Sequence, residues 1–175
     1  MSATITQGNT LPRLEACVLL RIDHVGIACR DLDAAVARYQ EAFGLTVVSR
    51  EVIAEQGVRE AMLRVGQPDG PVFPDGPVFP ESPVFPESPA SWVQLLEPLG
   101  PDTPVGKFLA RRGEGLHHVG YAVADISAAL AELAPKPFRL IDQRPRHGSM
   151  GASIAFLHPA DLGGVLTELV EPAAG

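Results

Sequence analysis

The sequence predicts an α+β fold of two tandem βαβββ modules, their mixed sheets curled around a shared cleft. Three observations predict it. Asp23-His24-Val25-Gly26-Ile27-Ala28 returns 94 residues on as His117-His118-Val119-Gly120-Tyr121-Ala122, and an internal repeat constrains the architecture before any single element is assigned. Each copy runs into a similar stretch, Asp31-Leu32-Asp33-Ala34-Ala35-Val36-Ala37 and Asp125-Ile126-Ser127-Ala128-Ala129-Leu130-Ala131. Each half then closes on a matching strand, Gln94-Leu95-Leu96-Glu97-Pro98 and Glu168-Leu169-Val170-Glu171-Pro172.

Residues 1–16 read as a disordered tail, and Met1 to Leu11 lacks the basic cluster and apolar core of a secretory signal. The first module spans 17–98. Cys17 to Cys29, rich in Val, Leu and Ile, predicts the first strand. Alternation puts His24 on one face with Ile22, Gly26 and Ala28, and Gly26 leaves open space beside the imidazole. Asp31 is a natural N-cap; Leu32, Ala35, Val36, Tyr39 and Phe43 then recur at helical spacing up to Gly44. Leu45–Val52 and Val58–Val65 read as strands on either side of the turn Glu55-Gln56-Gly57. Glu60 shares a face of the second with Val58, Met62 and Arg64.

Residues 68–91 are four hexapeptides, PDGPVF, PDGPVF, PESPVF and PESPAS. Proline at every third position withholds ladder donors and favours a polyproline-type conformation. The spacing marks an insertion into a hairpin. His24 to Gln94 is 70 positions against 50 for His118 to Glu168, and removing the 24 repeat residues leaves 46. Trp92 to Glu97 closes the module, with Trp92, Gln94 and Leu96 on one face. A connector, 99–115, carries a short helix over Val105–Arg112. The second module, 116–172, begins with a strand to Val123 and a helix through Ile126 and Leu133. A strand over Phe138–Asp142, a loop Arg144–Gly151, and strands Ser153–His158 and Leu166–Glu171 follow.

The composition, 46% hydrophobic and 20% charged over 175 residues, is that of a globular chain. No apolar run approaches the roughly 20 residues of a membrane span. A net charge of −7 excludes the basic face of a nucleic-acid binder and leaves anions to be held by local cations. Lys107, Arg111, Arg112, Arg144 and Arg146 are the candidates, although solvated charge is the commoner role for each. Cys17 and Cys29 lack C-x-x-C spacing and fit small core residues of a reduced, cytoplasmic protein.

Two histidines and a carboxylate on strands of one sheet are candidates for a divalent metal site. A pseudo-twofold between the modules brings together His24, Gln94, His118 and Glu168, one pair from each half. Imidazole and oxygen donors without thiolate suit Co, Mn, Fe, Ni or Zn with open positions, as in catalytic sites. Packing alone gives no reason for a histidine at the same place in both modules. His117 points by alternation to the opposite face from His118 and receives no role. His158 has no partner in the repeat and reads as structural.

The βαβββ pair resembles the vicinal oxygen chelate superfamily, the glyoxalase and dioxygenase fold. More narrowly IDHVGIA, EQGVREAML, VQLLEPL, GLHHVGYAV, IAFLHP and TELVEP resemble the methylmalonyl-CoA epimerase family, over about residues 20–172 apart from the hexapeptides. Ala160 departs from the pattern, standing where the family often has Lys. The resemblance implies that His24, Gln94, His118 and Glu168 hold a divalent ion, cobalt first and Mn²⁺, Ni²⁺ or Zn²⁺ as alternatives. It implies that Glu60 and Glu168 are the acid/base groups, that the substrate is methylmalonyl-CoA or a related acyl-CoA, and that the protein is a homodimer. Two rival readings use the same scaffold: another metal enzyme, such as a glyoxalase-type isomerase or a dioxygenase, and a non-catalytic small-molecule-binding module.

Overall fold

The computed structural model describes residues 18–66 and 90–173. The expected tail 1–16 and residues 68–89 of the hexapeptide run lie outside them, and Ser91, the last residue of that run, already belongs to a strand. In chain order the elements are β1 Arg21–Ala28, α1 Leu32–Phe43, β2 Thr46–Ile53, β3 Val58–Val65, β4 Ser91–Pro98 and α2 Pro104–Arg112. Then come β5 Gly115–Ala122, α3 Ile126–Leu133, β6 Arg146–His147, β7 Ser153–Leu157 and β8 Leu166–Glu171.

The two repeated helices, α1 and α3, start as their sequences require. Asp31 accepts from the Ala34 amide at 2.9 Å, and Asp125 from the Ala128 amide at 2.8 Å. The strands supply a second cap to each. Glu97, beyond Gln94, accepts from the Leu32 amide at 2.7 Å, and Glu171, beyond Glu168, from the Ile126 amide at 2.9 Å. These contacts give the repeated Glu-Pro at the end of each module a physical reason, since helix N-termini offer unpaired N–H groups and favour negative charge. α1 stops at Gly44, whose φ of 67° is left-handed and suits glycine at that position.

The eight strands of the described residues form one sheet in the order β2-β3-β4-β1-β5-β8-β7-β6. β1 pairs in parallel with β4, and β5 with β8, while β1 and β5 meet antiparallel at the centre. The two modules therefore read outward from the β1–β5 seam in the same order. α1 packs one face of its module through Leu32, Ala35 and Val36 against Ala61, Leu63 and Leu95. α3 does the same through Ile126, Ala129 and Leu130 against Ala155, Leu157 and Leu169. α2 seals the seam with Val105 and Leu109 against Ala28, Val58 and Leu96.

One expected strand is absent. Phe138–Asp142 forms only a single bridge, Leu140 to Leu157, and the sheet edge is the two-residue β6 inside the expected loop. Arg-Leu-Ile has strand propensity, but propensity yields to what the segment packs against. The first strand is also shorter than 17–29, and Thr46–Ile53 and Ser153–Leu157 shift expected ends by one residue, within the usual fraying of element boundaries.

Candidate active site

His24 on β1 and His118 on β5 face each other across the seam. Register explains why. Gly26 lies opposite His118 and Gly120 opposite His24, and a Cβ on either glycine would overlap the imidazole of the other module. Each glycine is thus the floor on which the partner's ring rests. On the outer sides, β4 sets Gln94 beside Gly26, and β8 sets Glu168 beside Gly120. The four expected side chains are brought together, and all are buried.

The His24 and His118 Nε2 atoms are 2.9 Å apart. Glu168 Oε2 sits 2.8 Å from the first and 3.1 Å from the second, yet receives no hydrogen bond. His24, His118 and Glu168 offer ligand atoms that all lie within 4.8 Å of one another. Gln94 gives both of its Nε2 protons away, to Glu60 Oε2 and to Ser149 Oγ, each at 2.8 Å. Its Oε1 is left buried and without a partner among the described residues. Buried acceptors without donors are costly in an interior. Converging nitrogen and oxygen lone pairs fit a borderline divalent cation, so these residues could hold one.

Glu60 stands on β3, opposite Leu96 of β4 and Glu51 of β2. It is 1% exposed, and its Oε1 has no partner among the described residues. Burial pushes its carboxyl up to about 7, with the charges of Glu51 and Glu168 adding to the rise and bonds from Ser149 and Gln94 opposing it. Glu168 is also buried, but His118 and His24 overcome desolvation and hold it down at about 2. Desolvation pulls His24 downward, and its contacts with Asp23 and Glu168 outweigh that and raise it to about 9. The two carboxyls thus differ widely in proton affinity, as in sites that divide acid and base roles.

Three residues were missed by sequence reasoning. Ser149 opens the turn Ser149–Gly151 between β6 and β7 and reaches Gln94 across the modules. Its neighbour Met150, in a left-handed turn at φ 54°, is held by its amide on Glu51 at 3.1 Å. Asp23 contacts His24, with Oδ1 3.2 Å from Nδ1. His117 is the correction. It does not face away from His118, because a bulge in β5 makes it an extra residue opposite β1, and bulges re-aim side chains. Its Nδ1 lies 2.9 Å from that of His118, and burial with the neighbouring ring lowers it to about 4. His158 stays structural, accepting from the Ala160 amide at 3.1 Å.

Two cavities meet at this cluster. One, of about 220 Å³, is lined by His24, Glu168, Met62, Trp92 and Met150. The other, of about 280 Å³, is lined by His118, Gln94, His117, Phe156 and Arg146. Ser149 borders both. Of the basic residues suggested for anions, Arg146 alone lines either cavity, paired with Asp142 at 2.9 Å. No helix among the described residues is long and apolar enough to cross a membrane.

A curled mixed sheet of paired βαβββ modules with histidine and glutamate at its seam defines a class. A family model described as the Glyoxalase/Bleomycin resistance protein/Dioxygenase superfamily matches residues 21–169. The methylmalonyl-CoA epimerase of Streptomyces coelicolor, solved in complex with 2-nitronate-propionyl-CoA, is 47% identical with a TM-score of 0.75, the match covering 89% of this chain and 99% of that one. The human mitochondrial methylmalonyl-CoA epimerase is 32% identical over 85% of this chain and 72% of its own length. The ethylmalonyl-CoA/methylmalonyl-CoA epimerase of Cereibacter sphaeroides is 33% identical over 85% and 96%. The chain belongs to the methylmalonyl-CoA epimerase family of that superfamily.

Proposed function

We propose that this protein interconverts (2R)- and (2S)-methylmalonyl-CoA, with His24, Gln94, His118 and Glu168 holding a divalent cation and Glu60 and Glu168 moving the α-proton. The observation that carries the reading is Glu60: a buried carboxyl with a free oxygen, tied through Gln94 to the site where the histidines converge. When bound, the cation supplies Lewis-acid stabilisation of the charge that develops on the substrate's oxygens. Cobalt is the proposed ion; Mn²⁺, Ni²⁺ and Zn²⁺ accept the same donors.

Epimerisation needs a base on one face of the α-carbon and an acid on the other. With Glu60 near neutral in proton affinity and Glu168 strongly acidic, a single proton on the pair provides one of each. Reversal of the roles runs the reaction backwards. Gln94 and Ser149 orient the Glu60 carboxyl, and the buried setting keeps competing water off the α-carbon. An enolate forms and is reprotonated from the opposite side.

A methyl rather than an ethyl substituent is proposed, a distinction worth about 1–3 kcal/mol in a fitted pocket. Cys29, buried and in no disulfide among the described residues, supports a reducing compartment, which we take as the cytoplasm, and the family resemblance supports a homodimer. The test is turnover of methylmalonyl-CoA in deuterated water after chelation and reloading with Co²⁺. Epimerisation with deuterium washed into the α-position, lost on chelation and restored by the ion, is expected. Turnover of a hemithioacetal or consumption of oxygen, without α-exchange, would replace this reading with the isomerase or the dioxygenase.

A further inference from the structure

The β1–β5 ladder slips twice. Register breaks between Ile22 and His24 and between Gly26 and Ile27, so Asp23 in β1 and His117 in β5 are each the extra residue of a bulge. They occupy equivalent places in the repeat. Each bulge turns two successive side chains to the same side. Asp23 lines the first cavity beside His24, and His117 lines the second beside His118. Both touch the Nδ1 of the following histidine, at 3.2 and 2.9 Å.

Valence fixes the direction of these contacts. A neutral imidazole carries one N–H, and the Nε2 of His24 and His118 point at each other and at Glu168. When Nε2 offers its lone pair to a cation, the proton is on Nδ1 and must be donated outward. His24 then donates to the Asp23 carboxylate. His118 can donate only to the Nδ1 lone pair of His117, whose own proton is on Nε2, on the ring that meets Phe108 edge-on at 5.0 Å between centroids.

We infer that His117 is a positioning residue that fixes the tautomer and ring plane of His118, as Asp23 does for His24. The two halves thereby hold their histidines with different acceptors, one carboxylate and one neutral ring. Groups that orient a ligating histidine typically change metal affinity by about 10–100-fold when removed. The inference rests on the proposal that the cluster binds a divalent cation, and the experiment separates the two.

Co²⁺ dissociation constants are measured by chelator competition for the full chain and for His117→Phe, His117→Ala, His117→Asn and His118→Ala, with the Co²⁺ absorption spectrum as a second readout. The Phe and Ala substitutions remove the acceptor, with and without a ring against Phe108, so one remains informative if the other fails to fold. They are expected to weaken binding about 10–100-fold and to shift the spectrum. Asn retains an acceptor at the Nδ1 position and is expected to restore both. Unchanged affinity in His117→Phe or His117→Ala, or no rescue by Asn, while His118→Ala abolishes binding, overturns the role of His117 alone. Binding by His118→Ala equal to that of the unaltered chain overturns the metal site itself.

Discussion

Glu60 is where burial and charge compete most openly, and the competition has a measurable sign. Its folded carboxyl is raised from 4.5 to about 7, so the native state holds this proton more tightly than the unfolded chain does. The associated stability is complete below about pH 4.5 and is lost as pH rises through about 7. Glu60→Gln removes that loss. In metal-free protein the variant is expected to unfold like the original near pH 4 and to be more stable near pH 8, by up to roughly 3 kcal/mol. Urea unfolding at the two pH values checks it, and a difference independent of pH would mean that Glu60 is not held by desolvation. Gly120 gives a second test at this scale. A methyl there would overlap His24, so Gly120→Ala is expected to cost about 1–3 kcal/mol and to weaken cation binding, read by calorimetry.

At the scale of elements, the capping contacts repeat as faithfully as the strands. Asp31→Ala and Asp125→Ala should each lower unfolding free energy by ~1 kcal/mol, and similar losses from both would show that the two modules start their helices in the same way. These starts were legible in the sequence, because an Asp before a periodic apolar stretch carries its signal locally. β1 and β5 were legible from the repeat. The bulges were not, since a bulge is a property of a ladder rather than of one strand, and alternation therefore sent His117 to the wrong side. The false strand at Phe138–Asp142 failed for the complementary reason: its residues favour β structure, but the segment meets β7 through one bridge, Leu140 to Leu157, and its hydrogen bonds to that strand go to Phe156 alone, too few to make a ladder. Ser149 was invisible because it comes from a turn of the second module, and its counterpart in the first, Glu55, is a different residue.

At the scale of the whole molecule, the chain makes one cleft from two similar halves and gives the halves unlike chemistry. The histidines repeat, Gln94 answers Glu168, and Glu60 has Ile154 in its place on β7. One side therefore carries the carboxyl proposed for proton transfer, and the other has an apolar residue at that place. The four converging residues could be read from the repeat, whereas their mutual distances and the unpaired oxygens required the fold. The hexapeptides interrupt this plan only between β3 and β4, whose ends are already paired at Val65 and Ser91. Replacing residues 67–89 by a short turn is expected to leave epimerase activity within about threefold and to preserve cooperative unfolding, as loop length weighs little on stability. A large loss of turnover would give the repeats a part in catalysis.

The proposed function requires Glu60 on β3 to exchange the α-proton of a substrate gathered at the seam. Its most direct test is Glu60→Gln in the Co²⁺-loaded protein, with metal content and solvent deuterium incorporation measured on the same sample. Full metal content and epimerisation reduced by about 10²–10⁴-fold are the expected result. Undiminished α-exchange in that variant would contradict it.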